Sequence, residues 1–472
     1  MTIANNSQLD LSSSFKAYDV RGIVGQSITA DSVRAVAAAF VDVLELAGQR
    51  VLVGGDMRPS SPEFAQAFAD GAASRGANVT LLGLISTDEL YFASGVLNAA
   101  GVVFTASHNP AQYNGMKMTK AGAVPLSLET GLADIRDLAQ RFLDGGLPAA
   151  AEVPGTIGEA DVLKDYSEYL RKLVDLSGSR PLKIVVDAGN GMAGMTTPAV
   201  LGSALLPGLP FEIVPLYFEL DGTFPNHPAN PLEPANLVDL KAAVVKHGAD
   251  IGLAFDGDAD RCFVIDEKGE PVSPSAVTAL VARREIARAK ALGEEHPTII
   301  HNLITSRAVP ELINHDGGRA VRTRVGHSFI KATMAEEGAV FGGEHSAHYY
   351  FRDFFNADTG MLAAMHVLAA LGEQEGSLSD LGREYEPYVS SGEINSQLAD
   401  VPAAVARVRA AYTREDVEVD ELDGITFTSK DGQWWFNLRA SNTEPFLRLN
   451  AEAVDAVTMA DVRDAVLEIV RQ

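Results

Sequence analysis

Cysteine is all but absent from this chain: Cys262 stands alone in 472 residues. One thiol closes no intrachain disulfide and builds no structural zinc site of the multi-cysteine kind. That fits a reducing compartment. The N-terminal MTIANNSQLDLSSS lacks a basic region followed by an apolar run, so it reads as a polar arm, not a secretory signal. No stretch reaches the roughly 18 apolar residues of a membrane span. The nearest, Leu90 to Phe104, is short and broken by Ser, Asn and Gly. A soluble, cytoplasmic protein with no membrane partner is expected. Positive charge is scarce as well: 38 Lys and Arg against 63 Asp and Glu leave a net charge of −25. That argues against nucleic acid as a partner. It does not exclude a small anionic substrate, because salt screens exposed charge beyond roughly 8 Å and a local basic cluster can still hold phosphate. There is no Gly-Lys dipeptide, hence no Walker A loop, and no low-complexity tract.

What is present is ordinary globular material, 46% hydrophobic, in a length that predicts about three to four domains. Strand-like apolar runs alternate with helix-like segments. RVLVGG, then a helix over 61–77 with Ser61 as N-cap and Pro62 in its first turn, then NVTLLGL, DELYFASGVLNAAG and GVVFTAS, form one βαβαβ run. A second begins after the soft stretch GGLPAAAEVPGTIG, and a third at RCFVIDE. From about Glu384 the strands ITFTS, QWWFNLRAS and FLRLNAEA run consecutively between a helix over 401–412 and a last helix from Met459. The expected fold class is α/β: three successive related α/β domains with mixed, mainly parallel sheets at 1–155, 156–264 and 265–383. A smaller C-terminal α+β domain follows at 384–472.

Four loops carry chemistry. In FDGDADR, Asp256, Asp258 and Asp260 alternate directly after an apolar strand, with small residues between them. Such carboxylates repel by about 4 kcal/mol per pair at 4 Å with an effective dielectric of about 20, a cost that a divalent cation removes. All-oxygen ligands favour Mg²⁺, and the carboxyl end of a parallel strand is where α/β proteins bind ligands. The alternative is a solvated acidic turn. In TASHNP, Ser107 is a nucleophile or phosphate carrier flanked by His108 and Asn109, or simply part of a turn. Lys117 follows nearby as an acid/base or phosphate partner. RASNTEP, from Arg439, gathers donors suited to phosphate, or is a hairpin loop with a surface arginine. GGEHSAH offers Glu344 and Ser346 to sugar hydroxyls with His348 as a titratable neighbour, or is a plain strand end. A literal G-x-G-x-x-G, GNGMAG at 189–194, lies between a strand and a helix. Asp187 just before it would set a carboxylate near a pyrophosphate, so its glycines are read as serving a tight turn and close packing, and no nicotinamide cofactor is expected.

Together TASHNP, DGDADR, GEHSAH and RASNTEP, in this order, with KAYDVRG (Lys16–Gly22) and VGHSFIK (Val325–Lys331), resemble the α-D-phosphohexomutase family over essentially the whole chain. GGEHSAHYYFRDFFNADTG is most similar to its phosphomannomutase branch. The resemblance implies four domains around a central cleft, closing by movement of the last. It implies phosphoserine at Ser107, with Mg²⁺ held by Asp256, Asp258, Asp260 and a phosphoserine oxygen. Glu344 and Ser346 would bind the sugar, and Arg439, Ser441, Asn442 and Thr443 the phosphate that is not reacting. Arg21, Lys117, Arg261, His327 and His348 would neutralise charge or move protons, with His108 beside Ser107 and Tyr18 in contact with substrate. Ile304 stands where the family often has lysine, with Arg307 three residues on. The implied reaction interconverts mannose 6-phosphate and mannose 1-phosphate through a hexose 1,6-bisphosphate, which also serves as activator, and possible action extends to glucose phosphates. Phosphoglucomutase and phosphoglucosamine mutase are the related alternatives. A Mg²⁺-dependent serine phosphatase and a non-catalytic sugar-phosphate binding protein are those of another class.

Overall fold

The structure, a computed structural model, describes residues 9–440 and 446–472, with the backbone alone at residues 327 and 328. It divides into two compact units, one of residues 1–272 and 346–379, the other of residues 273–345 and 380–472.

The first sheet is built from β1 (Val20–Ile23), β2 (Arg50–Gly55), β3 (Asn78–Leu84), β4 (Ala100–Phe104), β5 (Tyr113–Thr119) and β6 (Ile157–Glu159), in the order β1-β5-β4-β2-β3-β6. β4, β2, β3 and β6 are parallel, whereas β5 is antiparallel to β4 and to β1. The helices are α1 (Ala30–Val43), α2 (Ser61–Ser74), α3 (Thr87–Leu97) and α4 (Leu132–Gly145). Phe40 of α1, Phe64 and Phe68 of α2 and Phe104 of β4 share one buried core with Val51, Val53 and Val102. Strands buried on both faces explain why β2 and β4 are continuous apolar runs. The helix expected over 61–77 is shorter: Ser60, not Ser61, precedes its first residue, and it ends at Ser74 because Arg75 and Gly76 turn the chain. β1 and β5 escaped the sequence reading because VRGI and YNGMKMT carry charge, Gly and Asn in place of an apolar run.

The chain continues through α5 (Leu163–Leu173), β7 (Leu182–Asp187), α6 (Ala193–Val200), β8 (Phe211–Leu216), α7 (Val238–His247), β9 (Ile251–Phe255), β10 (Cys262–Asp266) and β11 (Pro271–Val272). This sheet has the order β11-β10-β9-β7-β8, with β8, β7 and β9 parallel and β10 turning back antiparallel. The second unit opens with α8 (Pro274–Ala291), β12 (Thr298–Asn302), α9 (Ala308–His315), β13 (Arg319–Thr323), α10 (His327–Glu337) and β14 (Phe341–Gly343). Its strands β13 and β14 are both parallel to β12. Back in the first unit, β15 (Tyr349–Phe351) and β16 (Ala357–Asp358) form an antiparallel pair before α11 (Gly360–Gly372). After the short α12 (Leu378–Gly382) come β17 (Val389–Gln397), α13 (Val401–Tyr412), β18 (Val417–Asp420), β19 (Ile425–Ser429), β20 (Trp434–Ala440), β21 (Phe446–Ala453) and α14 (Ala456–Val470). They make the antiparallel sheet β17-β21-β20-β19-β18, covered by α13 and α14. α14 starts three residues before the expected Met459, where Asp455 caps it. No helix among the described residues is long and apolar enough to cross a membrane.

Candidate active site

The β9–β10 hairpin puts FDGDADR at the carboxyl end of a buried parallel strand, and the loop after β4 brings Ser107 against it. Ser107 Oγ donates to Asp256 Oδ2 at 2.8 Å and lies 3.2 Å from His108 Nδ1. Both loops use left-handed backbone at non-glycine residues, with φ of 50° at Ser107 and 62° at Ala259. Gly257 is required here. A Cβ at that position would fall 2.5 Å from the Ser107 carbonyl oxygen, so any side chain would push the two loops apart. GNGMAG braces the same hairpin: the Met192 N–H donates to the Gly257 carbonyl at 2.9 Å, and a Cβ at Gly191 would lie 2.7 Å from that oxygen.

The acidic trio is enclosed, Asp256 and Asp258 being 0% exposed and Asp260 1%. One oxygen from each can come within 4.8 Å of the others. Asp258 Oδ1 and Asp260 Oδ1 are buried with no hydrogen-bond partner among the described residues. Such atoms are costly to leave unmatched. Their hard oxygen chemistry fits a divalent cation of the Mg²⁺ kind. The other oxygens are occupied. Lys117 Nζ pairs with Asp258 Oδ2 at 2.7 Å and with Asp260 Oδ2, while Arg261 Nε donates to Asp256 Oδ2 at 2.8 Å.

Electrostatics follow from burial. Burial, helped by Asp260 and Asp258 against the pull of Arg261, pushes the Asp256 carboxyl up to about 7. Burial also acts to raise Asp258, but Lys117 and the Thr87 hydroxyl outweigh it and hold that group below the usual carboxylate range. Burial would lower Lys117, yet Asp258 and Asp260 drive it well above an ordinary lysine. His108 is pushed well below the usual imidazole range by burial and then by Arg261 and Arg21. Arg261 Nη2 lies 2.5 Å from His108 Nδ1. A guanidinium only donates, so Nδ1 is the bare acceptor and a neutral His108 carries its proton on Nε2.

The first unit also holds Arg21, whose Nε donates to Asp19 at 2.7 Å and whose Nη1 donates to Asn109 Oδ1 at 2.5 Å, with Tyr18 near enough to act on its charge. Ser346 Oγ lies 3.0 Å from His348 Nδ1, and His348 Nε2 lies 3.8 Å from Asp260 Oδ1. The second unit carries Glu344, buried, with its Oε1 accepting from the Gly326 N–H at 3.2 Å and Asn302 Nδ2 at 3.4 Å. It also carries Arg439 on β20, 3.9 Å from Glu393. Ser441, Asn442 and Thr443 lie outside the described residues, as does the side chain of His327 at the start of α10. Ile304 is buried, and Arg307 is engaged elsewhere, donating to the Gly432 carbonyl with its Cζ 4.0 Å from the Tyr388 ring centre. Two residues went unnoticed in the sequence. Thr87 Oγ1 donates to Asp258 Oδ2 at 2.6 Å, and buried Arg58 binds the Ser107 carbonyl at 2.9 Å. The only hint of Arg58 was an Asp and an Arg two apart at a strand's carboxyl end, in GGDMRPS.

Repeated α/β sheets, an antiparallel C-terminal sheet, and a serine set against three buried carboxylates make an α/β protein with a site suited to phosphoryl chemistry. Segment by segment the chain matches "Phosphoglucomutase/phosphomannomutase, alpha/beta/alpha domain I" over 12–141, domain II over 164–269, domain III over 273–388 and the C-terminal domain over 393–469. It is 39% identical over 458 residues to a phosphomannomutase of Salmonella typhimurium, covering 96% of this chain and 97% of that one. It is 41% identical over 452 residues to the phosphohexose mutases of Xanthomonas campestris, covering 95% and 97%. A crystal structure of a phosphoglucomutase/phosphomannomutase family protein from Burkholderia thailandensis superposes with a TM-score of 0.84 at 31% identity, covering 97% of each chain. This chain belongs to the phosphoglucomutase/phosphomannomutase family. It is an isomerase, an intramolecular phosphotransferase of the phosphohexomutase kind.

Proposed function

We propose that this protein is a cytoplasmic phosphomannomutase that interconverts mannose 6-phosphate and mannose 1-phosphate and also accepts glucose phosphates. The observation that carries the reading is Ser107 Oγ, hydrogen-bonded at 2.8 Å to one member of a carboxylate trio whose other members each keep a buried oxygen without a hydrogen bond among the described residues. In this reading Ser107 carries the phosphoryl group. Asp256, Asp258 and Asp260 hold Mg²⁺, which when bound supplies charge neutralisation at the phosphoryl oxygens. Arg21 and Arg261, permanently charged, balance the phosphoryl group. Lys117, firmly protonated, serves as a charged hydrogen-bond donor to the phosphoryl oxygens, and His348 moves protons with Ser346 orienting its ring.

Phosphoserine gives its phosphoryl group to the free hydroxyl of the hexose phosphate. The P–O bond to Ser107 breaks, a P–O bond to the sugar forms, and the hydroxyl proton passes to a base. The 1,6-bisphosphate then turns end for end and returns its other phosphoryl group to Ser107. Such transfer is mostly positioning and charge stabilisation, and enclosure of Ser107 keeps water from the phosphoserine. Glu344 and Ser346 read O3 and O4, which glucose and mannose share, so discrimination at C2 is modest. Arg439, Ser441, Asn442 and Thr443 grip the idle phosphate, His327 neutralises charge or moves a proton, and Tyr18 lines the substrate. The division at 1–155, 156–264, 265–383 and 384–472 is proposed as the domain arrangement.

One assay tests this. Mannose 1-phosphate and glucose 1-phosphate are offered with and without Mg²⁺ and a hexose 1,6-bisphosphate. Isomer forms with wild type and not with Ser107→Ala, and intact mass shows one phosphoryl group on the wild-type chain. Steady release of inorganic phosphate would instead mark a phosphatase, and binding without turnover a carrier protein.

A further inference from the structure

Arg58 lies just past the carboxyl end of β2, fully enclosed, and all five N–H donors of its guanidinium are used. Nε donates to Asp56 Oδ2 at 3.2 Å. Nη1 donates to the carbonyls of Pro110 at 3.0 Å and Tyr113 at 2.9 Å, and Nη2 to those of Ser107 at 2.9 Å and Asn109 at 2.7 Å. Three carbonyls of the β4–β5 loop and that of Tyr113, the first residue of β5, thus converge on a single cation. Asp56 is held in turn: its Oδ1 accepts from the Arg58 main-chain N–H at 3.0 Å and from Ser61 Oγ at 2.9 Å. The Phe224 ring centre lies 5.1 Å from Arg58 Cζ, and a Cβ at Gly222 would fall 2.5 Å from Arg58 Cα.

This arrangement explains how Ser107 keeps a backbone conformation that serine rarely adopts. Carbonyls drawn away from water need donors, and the chain from Ser107 to the start of β5 brings four of them, the Ser107 one fully buried, to one point. The C=O and N–H of a trans peptide point opposite ways. Drawing the Ser107 carbonyl onto Arg58 therefore turns the His108 N–H to the other side. Only a planar fork spans the four acceptors; a lysine offers three donors from one point.

We propose that Arg58 is a positioning residue for Ser107. It acts through the backbone, aims Oγ at Asp256, and governs how fast the serine takes up and gives away a phosphoryl group, not how tightly the sugar phosphate binds. The proposal rests on Ser107 being the phosphoryl carrier.

The test compares the full-length wild type with Arg58→Lys, Asp56→Asn and Ser107→Ala. Steady-state kinetics on mannose 1-phosphate with Mg²⁺ give kcat and KM. Rapid-quench intact mass follows phosphoryl uptake at Ser107 from a hexose 1,6-bisphosphate, which leaves hexose monophosphate. Arg58→Lys is expected to fold, by circular dichroism and thermal unfolding. Its kcat and its uptake rate fall together by about 10²-fold, the scale of a misplaced reacting group, while KM stays near the wild-type value. Asp56→Asn, isosteric with aspartate, shows a smaller loss of the same pattern and carries the test if Arg58→Lys does not fold. A wild-type uptake rate in the folded variant, or a loss in KM at unchanged kcat, overturns the proposal. If Ser107→Ala is inactive while Arg58→Lys takes up phosphate normally, only the assignment of Arg58 falls. If Ser107→Ala keeps full activity, the carrier reading falls and takes this one with it.

Discussion

Gly257 separates two carboxylates in sequence, but its consequence lies 150 residues away, at the Ser107 carbonyl. A methyl group there would sit 2.5 Å from that oxygen, well inside van der Waals contact. Gly257→Ala therefore forces one of two loops to move. The expected result is a stability loss of about 1–3 kcal/mol, as for overpacking. The larger effect is on kcat, down on the order of 10²-fold by displacement of Ser107 from Asp256. Gly178→Ala, where an added Cβ meets nothing within 4 Å, is the control and should change neither. Thermal unfolding and steady-state kinetics on the two variants decide it; equal behaviour would show that the loops have slack. At this scale the sequence was eloquent about kind and silent about partners. Ser107 and the aspartates stood out by the alternate spacing of the carboxylates after an apolar strand and by the family resemblance of TASHNP and DGDADR. Arg58 and Thr87 did not, because an arginine and a threonine in a loop look like any others until burial is known.

Helix α3 shows how an element positions the trio and what that costs. Ser86 caps it, accepting from the Glu89 N–H, while Glu89 reaches back to the Ser86 N–H at 2.9 Å in a capping box. So anchored, Thr87 offers its N–H to the Asp258 carbonyl at 3.1 Å and its hydroxyl to the Asp258 side chain. The helix was read from DELYFASGVLNAAG, one residue late at its start. The burial was not: Glu89 is 0% exposed, and its Oε1 has no hydrogen-bond partner among the described residues. Burial first, with Asp88 adding to it, pushes this acid up to about 8 against the Ser86 hydrogen bonds. The folded state thus keeps a proton that the unfolded chain releases near pH 4.5. Stability from this group falls as pH rises from about 4.5 to 8 and is level above. The full penalty is as much as about 5 kcal/mol. Glu89→Gln keeps the cap and removes the titration. Its melting temperature should match wild type near pH 4.5 and exceed it at pH 8; identical slopes of melting temperature against pH would show that Glu89 ionises freely.

For the molecule as a whole, a bound cation should register as stability. Without one, the buried trio leans on Lys117 and Arg261, and two of its oxygens have no hydrogen bond among the described residues. Mg²⁺ at 100 times its dissociation constant adds about 2.7 kcal/mol by mass action. Chelation with EDTA should lower the melting temperature and abolish isomerisation, and restored Mg²⁺ should recover both. Asp260→Asn should blunt the shift. A melting temperature indifferent to Mg²⁺ would count against the trio as its ligands.

The alternation of strand and helix, the three α/β blocks and the antiparallel close could all be read from the letters. Each depends on local periodicity, capping and turn chemistry, which neighbours in the chain enforce. The assembly depends on contacts between distant segments. The strand pair β15–β16 and α11 fall within the expected third block, 265–383, yet belong to one compact unit with residues 1–272. There Thr359 donates to Asp88 at 2.7 Å, and Gly360 lies so close to the Arg261 backbone that a Cβ would fall 2.6 Å from it. Ser107 meets Asp256 across 149 positions. Residue type and spacing announce which groups can do chemistry. Packing alone strips water from three carboxylates, sets an arginine beneath a serine, and so turns common side chains into a site.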